Sequence, residues 1–246
     1  MTFGVLGKAL AGLGLVAVAA GVGAVTYFNH TRPATLGLAS VSPRVNAVAS
    51  PSDALSLVCR RPAGAKVLWV LQPGSIAGYR AHEQFAELTS PHEAVARTDQ
   101  VSGWLLGTEA AIETGCVAVD VRTLRSVDEL PGFNTSDRDK SARDFLSAYS
   151  HPYVVFQPYP VALRLSATSS AVQHATLDGD LEISGVTRRA RFTLEVRVTA
   201  DQVTAAGSAT VKVGDFGVEV PQEAGGFVRV DPNITLEVSF LLVRSA

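Results

Sequence analysis

The chain has 246 residues, 47% of them hydrophobic and 18% charged, with a formal net charge of −2. This length allows one large domain or two small ones. The near-neutral balance (pI about 6.2) leaves no basic footprint for nucleic acid. Cys59 and Cys116 are the only cysteines, and neither belongs to a C-x-x-C pair, which argues against structural zinc. An even count suits one disulfide in an exported domain and equally suits two unpaired thiols.

Ala9 to Phe28 carries no charge, is long enough to span a bilayer as a helix, and ends in the aromatic pair Tyr27-Phe28. Residues 1–28 therefore read as a transmembrane signal anchor. The competing reading is a cleavable signal peptide with Val22 to Ala24 as the small-residue site. Residues 29–64 contain Pro33, Pro43, Pro51 and Pro62 among many Ser and Ala, the composition of a linker. Ser52 to Cys59 forms a short helix or strand at its end.

From residue 65 to 246 the period is two. Phe192, Leu194, Val196 and Val198 share one face, with Arg191, Thr193, Glu195 and Arg197 on the other. Val117, Val119 and Val121 alternate in the same way, as do Leu236, Val238, Phe240 and Leu242. One apolar and one wet face per strand is the habit of antiparallel sheets. Strands are expected near 66–71, 76–87, 94–107, 110–123, 153–177 (broken), 180–199, 203–214 and 227–243, with Asp178-Gly179 as a hairpin turn. About eight long strands must close, and a closed antiparallel β-barrel of that size holds one small ligand. No fixed repeat points to a propeller or solenoid.

Pro131 to Leu146 interrupts the β pattern, with six charged residues among the eight from Asp137 to Asp144. Arg138, Lys140 and Arg143 interleave with Asp137, Asp139 and Asp144, so the signs cancel, which suits internal ion pairing better than a cation site. Ser141 and Asp144 have capping-box spacing, which predicts a helix from about Ala142 to Tyr149 with Phe145 and Tyr149 on one face. That face either plugs the barrel or covers a sheet edge.

Catalytic constellations are sparse. None of the five histidines forms H-x-x-x-H, and no G-x-S-x-G or G-x-G-x-x-G occurs. His82 beside Glu83 is a conceivable base and orienter, although a strand residue on a wet face accounts for it more simply. The chain reads as a non-enzyme without metal or cofactor.

The run from Gly115 to Phe156, "GCVAVDVRTLRSVDELPGFNTSDRDKSARDFLSAYSHPYVVF", resembles the central signature of the YceI-like family in its pairs Arg138-Asp139 and Asp144-Phe145 and in His151-Pro152 with Phe156. "WVLQPGSIAGYRAHEQF" (69–85), "GDLEISGVTRRARFTLEV" (179–196) and "DFGVEVPQ" (215–222) extend the resemblance in order. It implies a bacterial, periplasmic, lipocalin-like barrel that binds a polyisoprenoid or isoprenoid quinone. The anchor would then place a lipid-binding domain on the extracytoplasmic side of a membrane. The alternative is a structural or interaction module whose barrel is filled by its own side chains. Candidate ligand contacts are Tyr79, Phe85, Trp104 and Val119 from the first half of the barrel, and Phe145 and Phe156 around the helix. Phe192, Leu194, Phe216 and Phe240 complete them from the last strands. Facing is inferred from strand parity, which a slip of one residue reverses.

Overall fold

The computed structural model describes residues 31–41, 52–60, 67–85, 91–108, 111–130, 134–163, 165, 171–199, 201–220 and 228–244. Among the described residues no helix is long and apolar enough to cross a membrane. The anchor expected over 1–28 lies outside them.

Among the described residues thirteen strand segments form a single antiparallel sheet. In chain order the first seven are β1 (Val67–Leu71), β2 (Ile76–Phe85), β3 (His92–Thr98), β4 (Val101–Thr108), β5 (Ala111–Asp120), β6 (Arg125–Ser126) and β7 (Tyr153–Pro158). They are followed by β8 (Val161–Ala162), β9 (Gln173–Ile183), β10 (Val186–Val198), β11 (Gln202–Lys212), β12 (Val228–Val230) and β13 (Asn233–Arg244). β1 and β2 both pair with β13, so together they act as one interrupted strand. β3 and β4 pair with β2 and β1 respectively and form the next. Counted in this way, the sheet is a closed eight-stranded barrel. Closure leaves no long open edge for another chain to extend.

Strand alternation is clearest in β10, where every second residue from Ala190 to Val198 is buried and those between are exposed. The strand expected at 94–107 bends at Asp99-Gln100, which is why it divides into β3 and β4. Asp178-Gly179 is not a turn, because both residues lie inside β9 and pair with β10. A Cβ on Gly179 would stand 2.4 Å from the Gln157 carbonyl oxygen and 2.7 Å from the Phe156 ring, so glycine there permits close approach of β7. The β9–β10 turn is Ser184-Gly185 instead, with φ of 51° and 76°, the left-handed pair of a type I′ hairpin.

Two short α-helices with both ends among the described residues accompany the barrel. Helix α1 (Asp53–Val58) lies on the outer face of β4 and β5, and a disulfide joins Cys59 to Cys116. Helix α2 runs Thr135–Phe145, starting seven residues before the expected Ala142. Asn134 caps it by accepting from the Ser136 N–H, and Asp137 lies in the first turn, where a negative charge suits the helix dipole. Ser141 does not cap; its hydroxyl donates back to the Asp137 carbonyl oxygen. The helix ends before Ser147, whose φ of 50° breaks it.

Candidate functional site

Inward positions of the barrel alternate between bulky and small side chains. Phe156, Phe192 and Phe240 project inward, and so do Ala77, Ala175 and Ala205, which leave room beside them. The result is an internal cavity of about 560 Å³, apolar over most of its wall. Both Ile234 and Arg244, at opposite ends of β13, line it. Ten residues of strand at ~3.4 Å each, tilted as barrel strands are, make the cavity about 25 Å long along the barrel axis. It is therefore long and narrow.

Helix α2 crosses one end of this cavity. Ala142, Phe145 and Leu146 contribute to the wall there, while Trp69, Leu165 and Val203 form the other end. Phe145 belongs to the wall and is also 41% exposed, so the cavity meets the surface beside it. Tyr149, expected on the same inward face, is instead 80% exposed, because the helix has ended before it.

Seven of the ten candidate contact residues stand in the cavity wall. Tyr79 and Val119 do so from β2 and β5, and Phe145 from α2. Phe156, Phe192, Leu194 and Phe240 do so from β7, β10 and β13. The other three are elsewhere. Trp104 faces outward: its register partner across the sheet is Cys116, and its indole N–H donates to the Cys59 carbonyl oxygen at 2.7 Å. Its parity follows the disulfide side of the sheet, where it packs with Leu55 under α1. Phe85 is inside the barrel but beyond the cavity, its ring edge-on to His92 at 6.4 Å. Phe216 is buried in the 3-10 turn after β11, within the core but not on the cavity wall.

Among the described residues no ion pair joins the interleaved charges of α2 to one another, contrary to what is expected of them; Arg138 and Asp139 make their contacts outside the helix. Arg138 Nη2 donates to Asp128 Oδ1 at 2.6 Å and to Ser126 Oγ at 2.8 Å. Asp139 accepts from the Ser126 N–H at 2.9 Å and from its hydroxyl. These bonds clamp α2 onto the segment around β6. His92 extends the cluster, with Nε2 at 3.2 Å from Asp128 Oδ2 and Nδ1 at 3.5 Å from Glu83 Oε2. Burial alone would lower the His92 pKa, but hydrogen bonds to Asp128 and Glu83 outweigh it and raise it to about 9. Sequence reasoning missed this cluster because its members come from β2, β3, the β6 segment and α2. The only local signal was the Arg138-Asp139 pair.

Glu83 and Arg138 belong to the cavity wall as well as to the cluster. His82 points the opposite way, out of the barrel, as neighbouring strand residues must. The conceivable His82–Glu83 pair is therefore split across the sheet. Among the described residues no group of His, Cys, Asp and Glu is arranged to hold a metal ion.

A second charged cluster lies on the outside. Arg80 Nε is 3.0 Å from Glu237, and Arg80 also bonds Glu93. Residues 31–41 lie across these groups. Arg32 pairs with Glu93, the Pro33 and Ala34 carbonyls accept from Arg80 and Arg97, and Gly37 accepts from Ser239. This part of the stretch 29–64 is thus packed on the barrel, with Leu36 buried.

A family model, the YceI-like domain, matches residues 78–242. Among solved structures, a polyisoprenoid binding domain from Saccharophagus degradans, implicated in plant cell wall breakdown, superposes with a TM-score of 0.54 at 14% identity; 73% of this chain and 100% of that one are covered. Burkholderia cenocepacia BcnA aligns at 15% identity and TM-score 0.47 over 67% of this chain and 95% of its own. A Campylobacter jejuni YCEI protein aligns at 14% identity and TM-score 0.34 over 85% and 98%. No curated protein matches at a significant level.

Proposed function

The chain belongs to the YceI-like domain family, and on that basis we propose that it binds or carries, without catalysis, a long apolar lipid with a prenyl chain, such as a polyprenyl lipid or isoprenoid quinone. The observation that carries this reading is the cavity: long, narrow and apolar, with a wall shared by Phe156, Phe192 and Phe240. A linear chain threaded along it gains about 0.8 kcal/mol per methylene removed from water. Ten such groups exceed the lower estimates for the cost of immobilising a ligand. The Saccharophagus degradans domain is a polyisoprenoid binding domain, and a polyisoprenoid agrees with this cavity shape.

The barrel is read as held at the extracytoplasmic face of a membrane. The apolar run Ala9 to Phe28 supplies the anchor, and a disulfide fits an oxidising compartment. Arg32 is bonded to Glu93, near the rim of the barrel on the α2 side. Four Cα-to-Cα steps lead from Phe28 to Arg32, a reach of at most ~14 Å. The α2 end, where the cavity meets the surface beside Phe145, is then the end nearest the bilayer and the entrance for lipid.

Titration of the purified barrel with a fluorescent prenyl-chain probe tests the reading. Saturable binding that a long prenyl lipid displaces supports it. Absence of any such binding favours the alternative of a structural or interaction module.

A further inference from the structure

We infer that the outer rim of the barrel beside α2 docks on an anionic phospholipid surface, with Arg125 and Arg143 together taking the phosphate of a bilayer lipid. This rests on the reading above that holds the barrel at a membrane, and it adds the class of lipid that the rim meets there.

Arg125 and Arg143 come from different elements, β6 and α2, and converge on one acceptor. Arg125 Nη1 donates to the Leu124 carbonyl oxygen at 2.8 Å, and Arg143 Nη1 donates to the same oxygen at 3.4 Å. Their guanidiniums therefore stand side by side. Neither pairs with a carboxylate among the described residues, whereas the neighbouring Arg122 pairs with Asp120 and Arg138 with Asp128. Two like charges held together repel unless an anion joins them. Each guanidinium has five N–H donors in a fixed fork, and only Nη1 of each is committed to these carbonyls. The remaining edges suit a phosphate, which takes two-point contacts from such forks. Arg125 is exposed and Arg143 half-buried, and neither belongs to the cavity wall. The phosphate they face is thus one outside the barrel, and not part of a lipid carried within it.

The same rim bears apolar side chains in contact with water. Val127, Phe145 and Tyr149 are exposed, and Phe145 and Tyr149 supply the exposed aromatic rings of the described residues. Aromatic rings beside basic groups form the kind of surface that settles at a bilayer interface. Asp137 and Asp144 on α2 and Glu129 after β6 are also exposed and offset the charge of the rim as a whole. Long-range attraction is therefore weak, and docking depends on contact with the arginine pair. Arg32, bonded to Glu93, brings the chain to this end of the barrel. Docking turns the opening beside Phe145 toward the bilayer, so a prenyl chain can pass between membrane and cavity without crossing water.

The test uses the full chain in vesicles of brominated phosphatidylcholine, made with and without phosphatidylglycerol. Tyr149→Trp places a reporter ring on the rim, and bromine quenches its fluorescence on contact. Trp69 and Trp104 give a background that is measured in the unsubstituted chain. Quenching should be strong with phosphatidylglycerol and weak without it. Adding Arg125→Gln and Arg143→Gln should lower the ratio of docked to undocked barrel about thirtyfold, the worth of two cations at an anionic surface. Arg125→Lys with Arg143→Lys keeps the charge and loses the forks, and should recover part of that loss. Equal quenching in the two kinds of vesicle, or quenching untouched by the glutamine pair, overturns the inference. Flotation reports membrane attachment separately. A chain that floats with both kinds of vesicle and shows no quenching defeats the docking surface alone. A chain that floats with neither defeats the membrane-held reading itself.

Discussion

His92 Nε2 lies 3.2 Å from the Asp128 carboxylate, and the pair joins the end of β3 to the segment that holds helix α2. The raised His92 pKa, about 9, ties this contact to pH. A histidine with a higher pKa in the fold than its unfolded value near 6.5 contributes fully below that value. Its contribution is lost as pH rises through the folded pKa. Stability measured by urea denaturation should therefore fall between about pH 6.5 and 9, by at most about 3 kcal/mol. His92→Gln should flatten that slope, and parallel curves for the two proteins would show that His92 is not its source.

The disulfide links Cys59 to Cys116 across 57 residues. Loop-closure entropy for a link of this span is about 4 kcal/mol. Cys59→Ser with Cys116→Ser should lower the urea midpoint accordingly. The affinity for a prenyl probe should stay within about twofold in the folded fraction, since the bond lies on the outer face with Trp104 and α1. A strong loss of affinity in well-folded double mutant would place the bond in the binding pathway.

Ala205 is buried on the cavity wall, where its small side chain leaves space open. Ala205→Phe should fill the channel and weaken prenyl-probe binding about tenfold or more, in the manner of a blocked pocket, while circular dichroism shows an intact β fold. Trp104→Phe removes the indole donor to Cys59 outside the barrel. It should cost about 1 kcal/mol of stability and leave probe affinity unchanged. Equal effects of the two substitutions on binding would contradict the placement of the site.

The barrel was legible because alternation is local: Phe192 to Val198 announces its inner face within seven residues. Six contact candidates reached the cavity wall through this parity, and Phe145 did so from α2. Trp104 did not, because the next residue, Leu105, takes the inward position and nothing nearby in sequence marks the choice. Gly179 misled for a related reason. Asp178-Gly179 is favoured in turns, but here the glycine admits the Phe156 ring from another strand. The helix boundary shifted because Asn134 is the effective cap, and the capping-box spacing at Ser141 was incidental. Glu83, His92, Asp128 and Arg138 form one group only after β2, β3 and α2 converge, so sequence alone could show the charges but not their partners.

Whether a prenyl-chain lipid occupies the barrel can be read from native mass spectrometry of the full chain purified from bacterial membranes, followed by organic extraction and identification of what is released. The expected outcome is a bound mass that leaves on extraction and carries a prenyl chain. Protein that repeatedly shows no bound lipid, and that takes up no prenyl probe afterwards, would refute lipid carriage.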